Sequence, residues 1–152
     1  MSTQCRQIPR SGRPRRITAE AFSKYGRVIE WPGPENPQSV NQWRIVVRDR
    51  KAAGWRIACL VVRQQRVKRL EQHPESWESF EPLAGHAVLF VATEKRPRHY
   101  EAFFLDKPVV LRKGIWHAIV AVGREAQVKI TENNRVTSRF FRLGCELSSN
   151  QF

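Results

Sequence analysis

The sequence predicts an all-β fold, a barrel or sandwich of about eight short strands with one or two short helices. Apolar or alternating runs of strand length recur every ~10–15 residues with turn residues between them. Helical periodicity is confined to one early segment, and neither an internal repeat nor a heptad pattern is present.

The elements follow in order. Thr18 can cap a helix over Ala19-Glu20-Ala21-Phe22-Ser23-Lys24-Tyr25, with Gly26 as its stop. The hydroxyl satisfies free backbone amides and Glu20 complements the helix dipole. Arg27–Glu30 reads as a short strand and Trp31–Pro37, rich in Pro, Gly and Asn, as a loop. Trp43–Val47 alternates as a strand. Trp55–Val62 is almost continuously apolar, the pattern of a strand buried on both faces. Val67–Leu70 leads into an acidic turn, and Ala87–Ala92 is the strongest strand signal in the chain. Tyr100–Leu105, Val109–Leu111, Trp116–Val122, Gln127–Thr131 (before the turn pair Asn133-Asn134) and Arg139–Leu143 complete the set.

A chain of 152 residues fits one domain. The division expected is a basic flexible arm over 1–16 and a single domain over 17–152. The arm carries Arg6, Arg10, Arg13, Arg15 and Arg16 among Ser, Gly and Pro, too little apolar surface to offset its ordering entropy. Lys and Arg number 27 against 14 acids, a net charge of +13 that favours anionic partners. The arginines are spread along the chain and no interleaved aromatic stacking motif accompanies them, so nucleic acid is a less favoured partner than a small anion. Cys5, Cys59 and Cys145 form no CxxC pair, which excludes zinc-finger and thioredoxin-like patterns. Three free thiols suit a reducing compartment, and no apolar run approaches the ~18 residues of a membrane span, so the chain is expected in the cytoplasm.

The residues that can carry chemistry are Glu71, His73 and Glu78, with Gly85 downstream, and the later Gly114-Ile115-Trp116-His117. Residues 71 and 73 share one face of a strand, the turn after His73 returns Glu78 beside them, and His117 arrives from a neighbouring strand. The spacing resembles the cupin motifs. Glu71 stands at the first histidine of the first motif, His73 at the second, Glu78 at the glutamate and Gly85 at the glycine, while Gly114 and His117 match the second motif. The resemblance implies a cupin-type β-barrel or jelly roll. It also implies a divalent metal held by Glu71, His73, Glu78 and His117, with two histidines and a carboxylate leaving open positions for substrate. Four carboxylates (Glu71, Glu75, Glu78, Glu81) within eleven residues favour a bound cation or a raised pKa.

A wider resemblance covers residues 17–122. The opening Ile17–Glu30, then His73-Pro74-Glu75-Ser76-Trp77-Glu78-Ser79-Phe80-Glu81-Pro82-Leu83-Ala84-Gly85, then Gly114-Ile115-Trp116-His117, are similar to the ureidoglycolate lyase family. That resemblance implies conversion of ureidoglycolate to glyoxylate and urea, a step of allantoin breakdown, and a homodimer. Three positions depart from the family: Glu78 replaces a glutamine, Ala118 a histidine, and Val110-Leu111 an Asn-Tyr pair. The reaction needs a base for the substrate hydroxyl and an acid for the leaving nitrogen. His117 or Glu78 is expected as base, and His73 as acid or metal ligand. Arg112 or Lys113 is expected to receive the substrate carboxylate, with Tyr100, Trp77 and Trp116 as pocket walls and the barrel core as the other role for Trp116. His86 and His99 read as surface residues, Phe80 and Leu83 as core. The runner-up reading is a non-catalytic binding module for a small anion, or a basic barrel that holds nucleic acid.

Overall fold

The computed structural model describes residues 13–151 apart from positions 32 and 39. In chain order its elements are a one-turn helix α1 (Ala19–Phe22) and strands β1 (Gly26–Val28), β2 (Trp55–Val62), β3 (Arg66–Gln72), β4 (Glu78–Ala92), β5 (Glu101–Phe104), β6 (Val109–Leu111), β7 (Trp116–Asn133) and β8 (Arg139–Ser148). A 3-10 turn at Ser149–Gln151 follows. The eight strands form one antiparallel sheet that wraps into a barrel, β1-β6-β4-β7-β3-β8, with β2 paired to β7 and β5 to β4.

The long partners β4 and β7 serve both halves of this barrel. The first half of β4 lies between β6 and the second half of β7, and β2 pairs beyond it. The second half of β4 lies between β5 and the first half of β7, beside β3 and β8. The change of direction coincides with register slips at Pro82/Ala84 and Gly85/His86. Gly85 has φ +68°, and a Cβ there would lie 2.3 Å from the Glu125 carbonyl oxygen. Only glycine permits both that dihedral and that approach.

Where the strands cross, both faces are buried. Ala87, Leu89 and Val91 of β4 join Ile119 and Ala121 of β7 in a first core, together with Phe22, Phe80, Phe103 and Leu111. The alternate residues Val88, Phe90, Ala92 and Val120 enter a second core with Leu70, Tyr100, Leu143 and Leu147. Each large side chain so buried contributes about 1.5–3 kcal/mol. The helix is shorter than the sequence suggests. Thr18 Oγ1 accepts from the Ala21 amide at 3.1 Å, and the turn delivers Phe22 onto Phe103, ring centroids 5.3 Å apart.

Several expectations are corrected. Residues 43–47 form no strand, and Trp43 is 86% exposed. β2 is a strand but is not buried on both faces: Trp55, Ile57, Leu60 and Val61 are all exposed. It pairs with β7 along one edge, and its apolar composition is left unspent. The expected strands 116–122 and 127–131 are one element, and the 87–92 strand begins at Glu78. Leu83 is exposed, whereas Phe80 is core. Positions 1–12 of the expected arm lie outside the described residues; Arg15 is fixed, its amide donating to Ala102 O and its carbonyl accepting from Phe104 N. Cys59 is free and Cys145 is disulfide-bonded, so the expectation of three free thiols does not hold. Among the described residues no helix is long and apolar enough to cross a membrane.

Gly85→Ala is expected to destabilise the fold by about 1–3 kcal/mol or more through its backbone strain, with the close carbonyl added. Gly123 also has positive φ but open space around a Cβ. Urea unfolding should therefore show a larger loss for Gly85→Ala than for Gly123→Ala; equal losses would contradict the close approach.

Candidate active site

Hydrogen bonds between two loops set the site. The Gly114 amide donates to His73 O at 3.0 Å, and the Gln72 side-chain amide donates back to Gly114 O at 2.7 Å. Gly114 has φ +79°, which the turn before β7 needs. Glu71 and His117 are register partners across β3 and β7 and therefore share a face. Glu78, the first residue of β4, pairs with Glu132 near the end of β7.

These elements converge on buried donors. His117 Nδ1 lies 3.1 Å from Ile115 O, and His73 Nδ1 lies 3.3 Å from Thr137 O. A ring nitrogen facing a carbonyl is the protonated one, so both Nε2 lone pairs point into the cluster. Glu78 Oε2 sits between them, 3.0 Å from His117 Nε2 and 3.4 Å from His73 Nε2. Glu132 Oε2 and Glu71 Oε1 lie 3.9 and 4.0 Å from His73 Nε2. The Phe80 ring packs edge-on against His117, centroids 5.5 Å apart.

With both histidines neutral, no N–H is aimed at the carboxylates, and Glu78 Oε2 and Glu132 Oε2 are buried without a hydrogen-bond donor. An unsatisfied buried carboxylate is costly, so the cluster calls for a proton or a cation. Burial opposes charge on both Glu78 and His117, but their attraction prevails. His117 is held above the ordinary histidine range, and Glu78 below the ordinary carboxylate range with help from His73 and Arg56. The donor set equally fits a metal ion. Glu71, His73 and His117 form one candidate ligand group; His73, Glu78 and Glu132 form another. A divalent ion held at about 2.0–2.2 Å by nitrogen and oxygen keeps its ligands about 3.0–3.5 Å apart; the His73–Glu78 pair meets this at 3.4 Å, and the His73–Glu132 and His73–Glu71 pairs, at 3.9 and 4.0 Å, would close by about half an ångström.

Of the sequence-predicted residues, Glu71, His73, Glu78 and His117 are brought together. Arg112, Lys113, Trp116 and Tyr100 are not. Arg112 donates to the Ser23 carbonyl and lines an outer groove of about 640 Å³ with Arg27, Arg44 and Trp31. Lys113 pairs with Asp49 at 2.7 Å. Trp116 precedes His117 on a strand and so faces the second core, where Tyr100 also lies. Glu75 is exposed and Glu81 pairs with Lys129 at 3.0 Å, so two of the four clustered carboxylates stand outside the site. Glu132 and Arg56 were missed. Strand parity could have found them: Ala126, Val128 and Ile130 are inward, so Glu132 is the next inward position, and Arg56 is its partner on β2.

Comparison with known proteins bears on this arrangement. A family model described as ureidoglycolate lyase matches residues 10–140. The chain belongs to the ureidoglycolate lyase family. It is 26% identical to the ureidoglycolate lyase of Rhizobium etli, over 79% of this chain and 82% of that one. It is 28% identical to that of Agrobacterium fabrum, over 68% and 72%. Among solved structures it is similar to oxalate decarboxylase of Bacillus subtilis, with a TM-score of 0.45 and 17% identity over 59% of this chain and 24% of that one. The eight-stranded antiparallel sheet is the all-β architecture expected from the sequence.

Within that family frame the departures separate by face. Leu111 is the register partner of Glu78 and lies in the first core, so it gives the site an apolar wall. Ala118 packs into the second core, away from His117. Ala118→His should therefore destabilise the protein by about 1–3 kcal/mol through overpacking and add no ligand. Thermal unfolding with and without Mn²⁺ checks this: an ion-dependent gain in the variant beyond that of wild type would place residue 118 in the site.

Proposed function

We propose that the chain is a lyase that splits ureidoglycolate into glyoxylate and urea at the His73–Glu78–His117 cluster. The supporting observation is the Glu78 carboxylate lodged between two imidazole Nε2 atoms, at 3.0 and 3.4 Å. His117 Nε2 takes the substrate's hydroxyl proton. The O–H electron pair becomes the carbonyl of glyoxylate as the C–N bond breaks, and the same proton passes from His117 Nε2 to the departing urea nitrogen, which returns the ring to its neutral form; the Nε2 lone pair of His73 is left to hold a cation. Glu78 stabilises the imidazolium that forms on His117, as a carboxylate beside a general base does.

Two overlapping donor groups, Glu71, His73 and His117 or His73, Glu78 and Glu132, could also hold a divalent cation, which when bound would polarise an oxygen of the substrate. The enzyme so read acts on a small anion and works as a homodimer. The outer row of β2, Trp55, Ile57, Cys59 and Val61, is the apolar surface a second copy would cover, and its antiparallel edge suits a two-fold pairing.

His117→Ala should lower kcat/KM for ureidoglycolate by about 10²–10⁴-fold. Glu78→Gln, which restores the family's residue, should cost less. Because Glu78 raises the pKa of His117, its removal should move the acidic limb of the kcat/KM profile to lower pH. Unchanged turnover in His117→Ala would sink the assignment. Dialysis against a chelator followed by elemental analysis tests the cation: activity that falls with metal content and returns with Mn²⁺ or Zn²⁺ includes it, and undiminished activity in metal-free protein excludes it. Ile57→Lys with Val61→Lys should shift sedimentation from dimer to monomer, and a wild-type monomer would refute the β2 interface.

A further inference from the structure

The lyase reading leaves the substrate's carboxylate without a receptor, since Arg112 and Lys113 are engaged elsewhere. Arg56 stands where one is needed. Its inward orientation follows from register: Arg56, Ala58, Leu60 and Val62 of β2 face Glu132, Ile130, Val128 and Ala126 of β7, and the last three are in the first core. Nε and Nη2 both donate to Glu132 Oε1, at 3.0 and 2.7 Å. Among the described residues Nη1 has no partner. The Arg56 side chain is 46% exposed, while that of Glu132 is 8% exposed. The guanidinium is thus held from behind by a buried carboxylate and open in front. Its charge also helps to hold the Glu78 carboxyl below the ordinary carboxylate range.

We infer that Arg56 receives the carboxylate of the anionic substrate at the open side of the barrel, with Glu132 as the group that positions it. The substrate class follows: a short 2-hydroxy or 2-oxo acid, whose carboxylate meets Nη1 while its reacting carbon reaches the two imidazoles. Glu132 fixes the rotamer of a long side chain, so less entropy is lost on binding. The pairing with the buried Glu132 carboxylate also explains why an arginine sits on an otherwise apolar strand.

This inference rests on the lyase reading for its substrate but is tested by binding. Titration calorimetry with glycolate and with its uncharged amide, glycolamide, measures the preference for a carboxylate within each protein, so any loss of folded protein cancels. Wild type should prefer glycolate by about ten- to a hundredfold. Arg56→Met should bring the two ligands to about equal affinity, Arg56→Lys should fall between, and Arg112→Met should match wild type. A preference that survives in Arg56→Met, that is lost in Arg112→Met, or that wild type lacks would overturn the inference. If the preference behaves as expected but wild type does not turn over ureidoglycolate, the lyase reading falls and the carboxylate site stands.

Discussion

The pairing of β4 with β7 is the constraint on which the rest of the molecule depends. Glu78 begins β4, and Val91, thirteen residues on, is the register partner of His117. Fully extended, that step would span about 43 Å. Yet Glu78 Oε2 lies 3.0 Å from His117 Nε2. The contact exists only because the strand pair curls back on itself, with register slips beside Gly85. Closing the barrel and assembling the site are therefore the same event. The hydrogen bonds between His73, Gln72 and Gly114 then fix the two loops at the seam.

Charge in the cluster is the second constraint. Glu71, Glu78 and Glu132 surround His73 within 4.0 Å, and Arg56 neutralises one of them. Of the two that remain, Glu71 reaches solvent and Glu78 is buried, so Glu78 needs a positive partner, because uncompensated charge in an apolar interior is far more costly than at the surface. A proton on His117 supplies part of this and a divalent ion could supply the rest. The same balance bears on substrate entry. An anion approaching three carboxylates is repelled unless a cation meets it first, and Arg56 is the cation exposed at that side.

Much of this was legible because it follows from local rules. Strand parity placed residues 71 and 73 on one face, and the apolar run at 87–92 placed the central strand. The errors have a common origin. Composition reports what a segment could bury and not whether anything covers it, so the Trp55–Val62 run was read as interior although it lies at an edge. Proximity in sequence singled out Arg112 and Lys113, and the fold gives the first a hydrogen bond to the Ser23 carbonyl and the second an ion pair with Asp49. Glu132 and Arg56 belong to strands whose pairing with each other is long-range, and that partnership is set by the barrel's closure.

The family departures carry unequal weight. Ala118 faces the second core, so its change from histidine belongs to packing. Leu111 walls the site and excludes water from the side where β6 meets β4. Glu78 alone changes the charge, putting a carboxylate where the sequence resemblance implies an amide. An amide can hydrogen-bond a histidine but cannot stabilise its charged form to the same degree. The carboxylate therefore strengthens the base at the expense of a buried charge, and Leu111 keeps that charge from being screened by solvent. The two changes flank one another across β4 and β6, and each makes physical sense in the presence of the other.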